Sequence, residues 1–298
     1  MANLGIQYCY NSCIKYLSSR QFDDPDVTTL FAFEYVLNDK YIHLLANQYV
    51  LTPDEYRRIF DILNRCLNNE PLAYILGEAY FRSNRYEVGP GVLIPRPETE
   101  ELVEYTASII DCIYNQNSDA FIYECGLGTG VISIELAQMF PDITFTGWDI
   151  SNSAIQATLK NKAIYKVDNL QVYNGNFFDG YDEYGNEGAV QLVVSNPPYV
   201  SEKAYDLLDE HVKNEPKEAL VAENDGLSAI ISLVEMACKY RFILACEIGY
   251  DQREKLESCF HDLDLIFKSD LSGKDRFLFY FPPRILEKYS GLLSTLSN

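Results

Sequence analysis

The sequence predicts an α/β protein: seven strands in a mainly parallel sheet with helices on both faces, preceded by a small helical domain. Three observations carry that expectation. Phe121-Ile122-Tyr123 runs into Glu124-Cys125-Gly126-Leu127-Gly128-Thr129-Gly130 and then into the apolar stretch Val131 to Ala137. That is a strand, a glycine turn and a helix, the opening unit of a Rossmann-like domain. From about residue 100 onward, apolar runs at 121–125, 143–149, 170–174, 190–195, 242–248, 263–268 and 276–281 alternate with helical patterns. Residues 1–70 show only helical spacing.

The elements follow in order. Ile6 through Leu17 repeats apolar residues at helical spacing, and Asp24-Pro25-Asp26 is a helix start ahead of Val27, Leu30, Phe33 and Val36. Tyr41 to Tyr49 is a further short helix. Thr52-Pro53-Asp54-Glu55 supplies a cap, an N1 proline and an early acid, opening a helix with Ile59, Ile62, Leu63, Cys66 and Leu67. Residues 1–70 are thus expected to form a bundle whose aromatics are core. Residues 71–99 read as a β-hairpin linker. Ala79-Tyr80-Phe81, a turn at Ser83-Asn84 and Tyr86-Glu87-Val88 make the hairpin, and Gly89-Pro90-Gly91 makes a turn. Val92 to Thr99 is expected to be extended until Glu100 begins a helix. Residues 100–298 are expected to form the Rossmann-like domain, in which Gly180 to Gly188 reads as a surface loop.

Composition narrows the function classes. At 298 residues the chain accommodates one large domain and a small one. No apolar run approaches a membrane span, and Met1 to Tyr10 lacks the basic flank and apolar core of a secretory signal, so a cytoplasmic protein is expected. Eight scattered cysteines, three histidines and no C-x-x-C pair argue against a metal and for buried, reduced thiols. His211 is expected at the surface or in a structural role. The net charge of −20 opposes long duplex nucleic acid, whose binding needs Lys and Arg to displace counterions. A protein or small-molecule substrate and a monomer are expected.

Two motifs carry chemistry. The glycine turn is G-x-G-x-G, with Val131 where the dinucleotide pattern needs its last glycine and with no Walker lysine. It admits close approach of a ligand without matching the NAD or ATP versions. Asp149 closes the next strand about 20 residues later, placed to take two ribose hydroxyls. Asn196-Pro197-Pro198-Tyr199 ends the run Leu192 to Ser195. Two prolines stop strand pairing and leave acceptors, the Asn196 side-chain oxygen and the Pro197 carbonyl. Two adjacent acceptors suit an –NH2 group, and Tyr199 adds a flat face. In this order, glycine loop, strand-end acid and Asn-Pro-Pro-Tyr describe S-adenosylmethionine beside an amino group.

Pro71-Leu72-Ala73-Tyr74-Ile75-Leu76-Gly77-Glu78, Leu93-Ile94-Pro95-Arg96-Pro97-Glu98-Thr99-Glu100, the glycine turn and Asn196-Pro197-Pro198-Tyr199 together resemble the HemK/PrmC family. Glu215-Pro216, Asn224-Asp225-Gly226-Leu227, Glu247-Ile248-Gly249 with Gln252, and Asp270 to Arg276 extend the similarity to about residue 281. The resemblance implies a Rossmann-like S-adenosylmethionine-dependent methyltransferase acting on N5 of the glutamine in the Gly-Gly-Gln motif of peptide-chain release factors. The Asn-Pro-Pro-Tyr segment alone is shared with DNA adenine methyltransferases, and relatives that methylate a ribosomal-protein glutamine usually depart after the Arg96 position.

On that reading Asn196, Pro197 and Tyr199 are catalytic, and with Pro198 they bind substrate. Glu124, Gly126, Gly128 and Gly130 meet the methionine part of the cofactor, Asp149 the ribose, and Asn176 and Phe177 the adenine, with Asn196 adjoining the cofactor. Each has a structural alternative: a tight turn for the glycines, a helix cap for Asp149, core for Phe177. Arg96 to Thr99 either line the cofactor's far side or, for Arg96, pair with a surface acid. Leu127, Trp148, Asn176 and Lys239-Tyr240-Arg241 depart from the family pattern. Leu127, Trp148 and Asn176 keep open a cofactor-binding homologue without turnover, beside release-factor and nucleic-acid methylation.

Overall fold

In the computed structural model, which describes residues 5–114, 120–184, 190–289 and 291–296, the chain divides into two units. One is Met1–Glu78 with Asp209–Asn214; the other is Ala79–Leu208 with Glu215–Asn298.

The first unit is helical. Helix α1 (Ile6–Ser18) buries Ile6, Cys9, Cys13 and Leu17, one stripe at steps of three and four. Helix α2 (Pro25–Leu37) starts at Pro25 as its Asp-Pro signal indicates and buries Ala32, Phe33 and Val36. Helix α3 (Tyr41–Ala46) stops short of Tyr49, because Tyr49 N turns back to Leu44 O and Gln48 adopts a positive φ. Helix α4 (Pro53–Leu67) carries the expected capping box: Thr52 Oγ1 accepts from Glu55 N, and Glu55 accepts from Thr52 N at 2.7 Å. Helix α5 (Leu72–Leu76) lies within the segment read as a hairpin linker; Pro71 opens it and Gly77, at φ 75°, closes it. His211 is exposed on the short helix Glu210–Lys213.

The hairpin itself, β1 (Glu78–Phe81) and β2 (Asn84–Glu87), turns at Arg82-Ser83. Tyr86 Oη and Asn84 Nδ2 both donate to the buried Glu135, at 2.6 and 2.7 Å. Helix α6 (Pro97–Tyr114) begins at Pro97, three residues before the expected start. Proline has the φ of a first helical position and no N–H to satisfy there, so Pro97 starts the helix instead of prolonging the extended segment.

Strands β3 (Ala120–Cys125), β4 (Phe145–Asp149), β5 (Leu170–Asn174), β6 (Val190–Ser195), β7 (Ile243–Glu247), β8 (Leu265–Ser269) and β9 (Asp275–Tyr280) form one sheet in the order β5-β4-β3-β6-β7-β9-β8. β9 runs antiparallel to β7 and β8, and the other neighbouring pairs are parallel. Helices α7 (Val131–Met139), α8 (Asn152–Tyr165), α9 (Phe177–Tyr184), α10 (Ser228–Tyr240), α11 (Arg253–Cys259) and α12 (Pro283–Lys288) occupy the connections and the C-terminal region. Alternate strand residues enter two cores. Ile122, Val194, Ala245 and Phe279 join α6 and α7, whereas Tyr123, Val193, Leu244 and Leu278 join α9 and α10. Each Val, Leu, Ile or Phe among them contributes roughly 1.5–3 kcal/mol when fully buried.

The Gly180–Gly188 loop expectation is corrected: α9 continues to Tyr184, and residues 185–188 lie outside the described ones. Tyr181 explains the helix, because it is buried against Tyr123 and Phe177 and anchors that turn in the second core. None of the eight cysteines is in a disulfide, but Cys259 is exposed and Cys112, Cys125 and Cys238 are half-buried, so the expectation of buried thiols holds only for Cys9, Cys13, Cys66 and Cys246. Cys259 ends the short α11 on its outer side.

Candidate active site

Strand order reverses at β3, which pairs with β4 on one side and β6 on the other. In open parallel sheets a crevice forms at such a switch point, beyond the strands' carboxyl ends. Both motifs emerge there. Cys125 is in register with Ser195, whose Oγ donates to Cys125 O at 2.7 Å, so the glycine turn and Asn196 leave the sheet side by side.

A cavity of ≈ 290 Å³ opens at this point. Gly126, Gly128, Asp149, Asn176, Phe177, Asn196, Pro197 and Pro198 all line it. Gly126 and Gly128 have φ of 82° and 55°, and a Cβ built on either meets nothing within 4 Å. The turn therefore presents bare backbone to open space. Asp149 accepts Gly128 N on one oxygen and Ser151 N on the other, both at 2.8 Å. Each oxygen retains a lone pair. Burial raises the Asp149 pKa, opposed by those two backbone bonds. Phe177 is buried edge-on to Trp148 as well as lining the cavity, so core and wall are one role. Asn176 Oδ1 accepts from Phe178 N at 3.0 Å at the start of α9, which leaves Nδ2 as its donor.

Three of the expected site residues are not on that wall. Glu124 is buried behind the turn, accepting Ser133 N at 3.0 Å and a short bond from Ser133 Oγ. Burial pushes its carboxyl up to about 8, despite the Ser133 bonds. Gly130 faces α8, where an added Cβ would come within 2.8 Å of Thr158 Cγ2. Tyr199 Oη donates to Glu247 Oε1 at 3.1 Å, and Tyr199 O accepts from Gln252 Nε2.

Asn196 is held by a buried relay. Its Nδ2 donates to Thr99 Oγ1 at 2.9 Å, and Thr99 donates to Glu247 Oε2 at 2.7 Å. Thr99 and Glu247 are 2% and 0% exposed. Desolvation raises the Glu247 carboxyl to about 7, although the Thr99 and Tyr199 hydroxyls and Arg276 favour its charged form. Arg96 pairs with Glu215 at 2.6 Å, a buried acid rather than a surface one, and Ile94 N donates to the other Glu215 oxygen. That clamp holds the strap whose Gly91, Val92 and Leu93 line the cavity together with Pro216, Glu218 and Ala219. Glu215-Pro216 and Glu247-Ile248-Gly249 stand out as motifs in the sequence, but their partners Arg96 and Thr99 lie more than 100 residues away and leave no local signal.

Residues 9–77 match the PrmC N-terminal domain family and residues 104–236 the Methyltransferase small domain family. Release factor glutamine methyltransferase of Fusobacterium nucleatum subsp. nucleatum is 32% identical over 276 residues, spanning 90% of this chain and 76% of that protein. The protein of the same name from Aliivibrio fischeri is 30% identical across 92% of this chain and 96% of its own length. The chain belongs to the release factor glutamine methyltransferase family. Its fold also matches the catalytic domain of hMettl16, solved in complex with a MAT2A 3'UTR hairpin, at TM-score 0.52 and 13% identity over 84% of this chain and 92% of that one. Among the described residues no helix is long and apolar enough to cross a membrane and no acid, His or Cys cluster suits a metal.

Two departures of this methyltransferase from the family pattern have a packing explanation. Leu127 is buried over Gly147, where a Cβ would lie 2.3 Å from Leu127 Cδ2. Trp148 is buried over Gly180, where a Cβ would lie 2.4 Å from Nε1. Each large side chain is seated on a glycine. Lys239-Tyr240-Arg241 closes α10, with Arg241 left-handed at φ 59° before β7. The remaining departure, Asn176, keeps its place on the wall as a helix-capping amide.

Proposed function

We propose that this protein transfers a methyl group from S-adenosylmethionine to N5 of the glutamine in the Gly-Gly-Gln motif of peptide-chain release factors. The observation that carries the reading is one cavity wall shared by the glycine turn, Asp149 and the Asn196-Pro197 corner. The bound cofactor supplies a methyl group already activated by sulfonium. Open backbone at Gly126 and Gly128, spare lone pairs on Asp149 and the Phe177 face fit its amino acid, ribose and adenine parts. Asn176 Nδ2 would donate to an adenine ring nitrogen rather than accept from the adenine amino group. Glu124 and Gly130 shape the turn from behind, by the Ser133 bonds and by packing on Thr158.

An amide nitrogen is a poor nucleophile because its lone pair is delocalised into the carbonyl. Asn196 Oδ1 and the Pro197 carbonyl accept its two hydrogens, orient its lone pair towards the cavity and stabilise the positive charge that develops on it. Pro198 packs beside the amide, and Tyr199 braces the corner from behind through Glu247. Holding the nitrogen at attack distance contributes up to roughly 7–11 kcal/mol. The proton leaves after transfer, so no general base is assigned.

The test offers labelled cofactor with purified release factor, its motif Gln→Ala variant and adenine-containing DNA. Label on the unmodified factor alone is expected. Label on DNA supports nucleic-acid methylation instead, and cofactor binding without any transfer supports a homologue that lacks turnover.

A further inference from the structure

The Asn196 carboxamide is useful only one way round. Turned over, it would offer two donors to an –NH2 group and repel it. Nothing on the motif itself chooses between these orientations, because oxygen and nitrogen are nearly the same size.

We propose that Thr99 and Glu247 act as positioning residues that lock the Asn196 carboxamide with Oδ1 towards the reacting amide. The available hydrogens decide the orientation. Thr99 has a single hydroxyl hydrogen, and it goes to Glu247 Oε2. Its oxygen can then only accept from Asn196, so Nδ2 must be the atom that faces it, as it does at 2.9 Å. Oδ1 is left for the substrate. The same carboxylate accepts Tyr199 Oη, so one buried acid holds both Asn196, through Thr99, and the Tyr199 that backs the corner. This deepens the methyl-transfer reading and rests on it for its catalytic consequence, though not for its geometry.

The polarity of the relay depends on Glu247 being a carboxylate. Its surroundings are Thr99 and Glu98 on α6, Tyr199 after β6, Cys246 beside it on β7 and Arg276 on β9, which is itself paired with Asp270. A proton on Oε2 would let Glu247 donate to Thr99, free the Thr99 hydrogen for Asn196 Oδ1 and turn the amide over. Turnover should therefore fall as pH drops through about 7.

The experiment compares wild type, Thr99→Val and Thr99→Ser in the full chain with two readouts. One is kcat, KM and cofactor Kd for release-factor methylation. The other is the Asn196 side-chain amide signal in ¹⁵N NMR, which needs no substrate. Thr99→Val should lower kcat by on the order of 10²-fold. KM and cofactor Kd should move by less than about 3-fold, and the acid limb should be lost with the hydrogen-bonded Asn196 signature. Thr99→Ser should restore both readouts. A Thr99→Val kcat near wild type, a Thr99→Ser as impaired as Thr99→Val, or an Asn196 signal indifferent to Thr99 overturns the proposal. If wild type transfers nothing to release factor while the NMR signature still follows Thr99, the relay stands and the substrate reading fails.

Discussion

Gly147→Ala tests whether Leu127 and Gly147 are a matched pair, and its effect can be worked from the geometry. The new Cβ would sit 2.3 Å from Leu127 Cδ2, 2.7 Å from Cγ and 3.1 Å from Cδ1. Three contacts, one to the branch carbon, cannot be relieved by swinging a terminal methyl, so the side chain or the glycine turn must move. Overpacking of this kind costs about 1–3 kcal/mol. Leu127→Ala removes a buried side chain and should cost about 2–5 kcal/mol. In the double variant the alanine Cβ occupies space that Leu127 vacates, so the loss should fall short of the sum by about 1–3 kcal/mol. Urea denaturation followed by the fluorescence of Trp148, the single tryptophan and a buried neighbour of the turn, measures the cycle. Single losses that add to within about 0.5 kcal/mol would refute the pairing.

Gly180→Ala should act on Trp148 in the same way, costing about 1–3 kcal/mol and shifting the emission maximum; unchanged emission would show that the indole does not rest on that glycine. Asp149→Ala should weaken cofactor binding by at least about 10-fold in calorimetry, since hydrogen bonds to a charged group are worth about 1.5–3 kcal/mol. An unchanged Kd would remove Asp149 from the ribose site. Stability should also fall as pH rises. Burial lifts Glu124 from the ordinary 4.5 to about 8 and Glu247 to about 7, so the folded chain binds more protons than the unfolded one across that window. Each group then contributes a loss of up to ~1.4 kcal/mol per pH unit. Denaturation midpoints at pH 6 and pH 8.5 measure this, and Glu124→Gln should flatten the slope; a slope of opposite sign contradicts the assignment.

The strands, the glycine turn and the Asn-Pro-Pro-Tyr corner were legible because each is written in adjacent residues. Asp149 was legible from its strand-end position, and the cap of α4 from four consecutive residues. What local pattern cannot show is which way a side chain faces once distant segments meet. Glu124 lies in the glycine motif, yet its partner Ser133 on α7 turns it inward. Gly130 holds a positive φ and packs its bare Cα face on Thr158 of α8. The relay from Asn196 to Thr99 and Glu247 and the clamp from Arg96 to Glu215 join residues more than 90 positions apart. The extension of α9 past Gly180 was hidden because its support is tertiary: Tyr181 packs into the second core.

Asn196→Ala bears on the catalytic claim most directly, with methyl transfer to release factor and S-adenosylmethionine affinity measured on the same preparation. Turnover should drop by about 10²–10³-fold while the cofactor Kd stays within about 3-fold of wild type, because the lost acceptor belongs to the transferring nitrogen. Parallel losses in both quantities, or transfer that survives the substitution, would contradict the account.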